Sequence, residues 1–90
     1  TAITILTSGG GGFEGSSAAC EGEEGIFATM YHDGSNSYTV VGDKIYTTNG
    51  TSNPLGDGYY RQPFRSKSNQ SIRINSDEGD DGEVMEVSNC

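Results

Sequence analysis

Cys20 and Cys90 are the residues of this chain whose chemistry would reshape it most. A bridge between them would tie the last residue to the segment ahead of the second strand, and the loop-entropy account gives so long a closure about 4 kcal/mol. Two other readings stand beside it: free thiols in a reducing compartment, and a bridge to a neighbouring subunit. Zinc is not expected, because two Cys and one His without paired spacing do not make a tetrahedral site. His32 beside Asp33 offers the base and orienting carboxylate of a nucleophilic triad, but no nucleophile elbow accompanies them. His32 is read instead as a surface residue at a strand end. The acidic run Asp77-Glu78-Gly79-Asp80-Asp81-Gly82-Glu83 could gather oxygen ligands for calcium. In the EF-hand register it has Gly79 at the third position and Ser88 where the bidentate carboxylate belongs, so it is read as a solvated hairpin tip. Carboxylates are too plentiful for a glycosidase pair to be singled out. No catalytic residue, metal or cofactor is expected, and the chain is read as not an enzyme.

Gly10, Gly12 and Gly15 formally satisfy G-x-G-x-x-G after a strand. No helix is expected to follow, and the dinucleotide fingerprint needs one for its amides and dipole. Tyr31, Tyr38, Tyr46, Tyr59 and Tyr60 could form a platform for sugar rings, although aliphatic residues are so few that most of these rings are needed for packing. One of the adjacent Tyr59 and Tyr60 must face outward on a strand. The sequons Asn49-Gly50-Thr51 and Asn69-Gln70-Ser71 fall in predicted turns.

The elements that would position these groups are short strands. Alternation or β-branched and aromatic enrichment marks residues 1–7, 26–32, 38–41, 44–48, 59–64, 71–75 and 83–87, with Pro63 suggesting an edge. Gly42-Asp43 suits a type II′ hairpin joining 38–41 to 44–48, and residues 53–58 supply a second reversal. Apolar residues never recur at helical spacing for more than a turn, so helix is not expected. The predicted fold is all-β, a small antiparallel sandwich or open barrel of about six or seven short strands with a Gly-rich N-terminal arm. It forms one domain over 1–90, divided into the strand and arm at 1–17 and a β core at 18–90.

Leu, Ile, Val and Phe make up 15 of 90 residues, and the net charge is -8. A chain this short and apolar-poor struggles to offset its conformational entropy, so a crosslink, a subunit interface or docking on a larger body is expected to stabilise it. With 13 acidic against 5 basic side chains it cannot make the phosphate contacts on which nucleic-acid affinity rests. Neither nucleic acid nor an anionic membrane is an expected partner. No apolar run is long enough to span a bilayer as a helix. The start at Thr1 is read as a trimmed initiator Met or a removed leader.

The order Val41-Gly42-Asp43, Ile45-Tyr46-Thr47, Asn53-Pro54-Leu55, Gly58-Tyr59-Tyr60, Ile72-x-Ile74, Gly82-x-Val84 and a final Cys90 resembles small all-β modules of tailed-phage virion surface proteins, of tail fibre, head fibre or capsid decoration type. The resemblance covers about residues 38–90. It implies a non-enzymatic, homo-oligomeric structural role at the virion surface, with other capsid or tail proteins as partners. Without a long repetitive shaft, a capsid decoration (cement) subunit or a short head or tail fibre component is the expected form. Contacts with the shell or a neighbouring copy are expected from Ile3, Ile5, Gly10 and Gly12 in the N-terminal strand and arm, and from Tyr59 and Tyr60. Removing residues 1–12 would then abolish particle binding. The alternatives are a carbohydrate-binding or adhesion module using Tyr59, Tyr60 and the acidic turn with calcium, and an extracellular filament subunit.

Overall fold

The computed structural model describes residues 2–9, 11–23, 25–35, 38–50, 53–62, 69–74 and 82–90. Six strands, β1 (Ala2–Thr7), β2 (Ile26–His32), β3 (Ile45–Tyr46), β4 (Gly58–Gln62), β5 (Gln70–Ile74) and β6 (Val84–Asn89), form one antiparallel sheet in the order β3-β2-β1-β4-β5-β6. Two three-stranded meanders thus lie side by side, joined where Leu6 of β1 pairs with Arg61 of β4. The sheet curls until the approach to β3 meets the approach to β6: Gly42 N–H donates to Val84 O, Val84 N–H to Asp43 O and Ile45 N–H to Gly82 O. This is the open-barrel form of the expected all-β fold.

Alternation explains the core. Ile3 and Ile5 of β1, Ile72 and Ile74 of β5, Met30, Ile45, Leu55, Tyr60 and Val84 form the buried cluster. Leu6 has the opposite parity to Ile3 and Ile5, yet it is buried too. Its side chain packs against Gly22 and Gly25, in the segment that follows a helix, α1 (Ser16–Glu21), which lies over β4 and β5 as a second layer. This helix corrects the expectation of none. The window SSAACE is free of glycine, contains two alanines, and is bounded by Gly15 and by Gly22, whose left-handed φ of 65° closes the C-terminus with a bond to Ala18 O. Six residues cannot hold a helix alone. Tertiary ties hold this one: Ala19 is buried, Arg61 Nη1 donates to Cys20 O at 3.1 Å, and Cys20 is bonded to Cys90, with Cα atoms 5.4 Å apart.

The Gly-rich arm is also corrected. It folds back on the barrel: Ser8 N–H and Oγ both reach Gly11 O, and Phe13 exchanges two backbone bonds with Tyr59. Gly12 and Gly58 touch backbone to backbone, and a Cβ on Gly12 would lie 2.6 Å from Gly58 Cα. β1 is the strand on which both meanders meet, so removing residues 1–12 would take out the middle of the sheet, and lost binding after that deletion would not identify a contact surface.

The predicted hairpin at Gly42-Asp43 does not form. A turn closes one residue earlier, with Asp43 N–H donating to Val40 O and Gly42 at φ 100° in its third position. Residues 38–41 are not a strand. The buried Gln62 side chain stands in for a partner strand: its Oε1 accepts from Thr39 N–H and from Thr39 Oγ1, each at 2.7 Å, and its Nε2 donates to Thr39 O at 3.0 Å. β3 is shorter than the expected 44–48, because Thr47 N–H turns away to Asn53 O. β5 and β6 run where strands were expected, to within two residues at each end. Pro63 and Phe64 lie outside the described residues.

Candidate functional site: the open seam beside β2

The short β3 creates the site. β2 pairs with β1 along six residues but with β3 only through Tyr31 and His32. Among the described residues, nothing pairs with the outer edge of β2 over residues 26–30. Sheet edges of this kind are usually guarded by charge, proline or a bulge, whereas this one reads Ile-Phe-Ala-Thr-Met, with Ile26 57% and Phe27 61% exposed. The Arg61 guanidinium lies 5.9 Å from the Phe27 ring centre, on the ring face.

Where β3 leaves β2, a cavity of about 450 Å³ opens, lined by Thr7, Gly11, Met30, Thr47, Leu55, Gly56, Asp57 and Tyr60. The size falls within the range of small-molecule sites. Its buried side is Met30, Leu55, Tyr60 and Thr7, and its mouth is formed by Gly11, Thr47, Gly56 and Asp57. The three hydroxyls of the lining all donate to backbone carbonyls: Thr7 Oγ1 to Ile26 O, Thr47 Oγ1 to Asn53 O, and Tyr60 OH to Gly56 O. Burial first, and the Asp57 charge second, push the Tyr60 phenol up to about 12.

The residues singled out in the sequence are dispersed. Ile3 and Ile5, at 5% and 0% exposure, are core residues and offer no contact surface. Gly12 is packed on Gly58, and Gly10 lies outside the described residues. Of the adjacent tyrosines, Tyr60 is interior at 1% exposure and Tyr59 is half-buried, so the pair makes no sugar platform. His32 is not on the surface: it is buried, and its Nδ1 accepts from Gly34 N–H at 3.1 Å. Its near carboxylate is Asp43, at 3.7 Å, whereas Asp33 Oδ1 accepts from Lys44 N–H. Of the acidic run, only Gly82 and Glu83 are described, and Gly82 is buried. Asn49 sits exposed in its turn. Asn69 is half-buried, its carbonyl accepting from Cys90 N–H, and Ser71 of its sequon is buried in β5. A helix does follow the glycine pattern, but Phe13 N–H is committed to Tyr59 O and Ala19 N–H to Gly15 O.

Sequence reasoning misses Gln62, Met30 and Asp57 as site residues and reaches Leu55 only as a position of the resemblance. Leu55 and Asp57 lay within the recognised reversal at 53–58, which was the available signal; nothing local marks Gln62 or Met30 apart from ordinary strand residues. No known protein family, curated protein or solved structure matches this chain.

Proposed function

We propose that the chain is a non-enzymatic structural subunit of the tailed-phage virion exterior, a capsid decoration (cement) subunit or a short head or tail fibre subunit, which docks by strand addition along the outer edge of β2. The observation that carries this reading is the uncharged edge at 26–30 with Ile26 and Phe27 exposed beside it. A strand from a neighbouring virion protein laid there would gain main-chain hydrogen bonds and cover both side chains. The Cys20–Cys90 bridge supports an extracellular particle, since disulfides persist in oxidising surroundings. The net charge of -8 favours the outer protein surface over the packaged nucleic acid. The resemblance over residues 38–90 supplies the virion context.

The test is occupancy. Virions assembled with the Ile26→Lys, Phe27→Glu double variant should carry at least about tenfold fewer copies of the chain than wild type, at an unchanged melting temperature, because both side chains are exposed in the free subunit. Full occupancy by the variant would overturn the reading. Negative-stain images of the native assembly would distinguish a coated head from a fibre, and long polymers of the purified chain alone would favour a filament instead.

A further inference from the structure

The seam cavity has a chemical preference that does not depend on what the chain docks onto. Its lining, among the described residues, contains no side-chain N–H group. Every hydroxyl in it already donates to a backbone carbonyl, so the oxygens of Thr47 and Tyr60 are left as acceptors, while that of Thr7 also accepts from Gly9 N–H. A neutral polyol needs donors as well as acceptors from its site, and from the side chains of this lining an anion would meet only lone pairs and the Asp57 carboxylate. Divalent cations prefer several charged oxygens, and this lining holds one carboxylate. Met30 and Leu55 supply an apolar wall beside these acceptors. The complementary group has several N–H donors, a positive charge and a short aliphatic stem.

We propose that this cavity binds a primary alkylammonium group, with the ammonium directed to Asp57 and the lining hydroxyl oxygens and the stem against Met30 and Leu55. The group could belong to a free aliphatic amine or to a lysine on a strand docked along β2, since Met30 belongs both to that edge and to the cavity wall.

The experiment is a ¹⁵N–¹H NMR titration of the disulfide-bonded chain with n-butylammonium, using n-butanol and butyrate as controls of similar shape. Saturable shifts should appear at Met30, Leu55, Gly56, Asp57 and Tyr60, with both controls at least about tenfold weaker. Asp57→Asn should weaken butylammonium about fivefold or more, and raised salt should act in the same direction. Gly56→Phe should abolish binding while leaving the fold intact, because a Cβ at Gly56 meets nothing within 4 Å and the ring would cap the mouth. Equal affinity for n-butanol, an unaffected Asp57→Asn variant, or the lack of saturable shifts would each overturn the proposal. A strand-forming peptide with a central lysine, compared with its norleucine counterpart, separates the two sources. Tighter binding than butylammonium that disappears in the Ile26→Lys, Phe27→Glu variant assigns the group to a docked strand, and affinity no better than butylammonium assigns it to a free amine. Either outcome supports the site, and both can be read even if the virion reading fails.

Discussion

The two meanders are held to different standards. β4, β5 and β6 pair along their lengths, and a polar chain runs across them from Thr39 through Gln62 and Gln70 to Asn89. Arg73 and Glu86 form an ion pair at 3.2 Å on the outside, and α1 with the Cys20–Cys90 bridge fastens this half from above. β1 and β2 pair equally fully, but their meander ends in a two-residue strand and leaves the edge and the cavity. The covalent bridge and the Gln62 network lie away from the open β2 edge with Ile26 and Phe27, whereas the exposed Val40 and Val41 adjoin that network. The difference teaches that the strongest stabilising ties and the proposed docking edge lie in different halves of the sheet, so each is expected to be alterable without the other.

The most damaging change to this arrangement is loss of the bridge. Cys20→Ser with Cys90→Ser should cost about 4 kcal/mol, read as a lowered denaturation midpoint that reductant reproduces in the wild type. Gln62→Met comes next: it strands buried groups of Thr39 and should cost about 3 kcal/mol in the same assay, with the β2 edge unaffected. Gly12→Ala forces the arm off Gly58 and should cost about 2 kcal/mol.

Alkali offers a milder probe of the cavity side. The Tyr60 phenol titrates at about 12 when folded, above its ordinary value, so its contribution is complete below about pH 10 and is lost as pH rises toward 12. Stability should therefore fall over that interval, and Tyr60→Phe should flatten the fall, as followed by denaturant titration at stepped pH. The smallest effect is expected at the Arg73–Glu86 pair: Glu86→Gln should cost below about 0.5 kcal/mol, because the Glu86 side chain is 59% exposed and its charge is screened by solvent.

The core was readable because period-two alternation is local: Ile3 with Ile5 and Ile72 with Ile74 point inward as their spacing requires. The seam was not, because its causes are long-range. Gln62 replaces a strand for Thr39 across 23 positions, and no window of sequence records such a bond. α1 exists through Arg61 and a cysteine 70 positions away, so its six residues carry only weak helical bias of their own. A place at a strand end predicts a surface position for His32, yet it is buried in the folded chain. The cavity follows from β3 being cut short at Thr47, a consequence of the Asn53 carbonyl capturing its N–H.

The bridge also sets how the molecule would bear load. A pull applied between residues 2 and 90 passes from Cys90 directly to Cys20, so the covalent ring between them carries no tension along its backbone. Only the segment ahead of Cys20 can pay out, to roughly 65 Å when extended. That segment contains β1, the slat between the two meanders. Under force the molecule would therefore lengthen by a fixed, short distance and then stop, as a tether with a built-in limit.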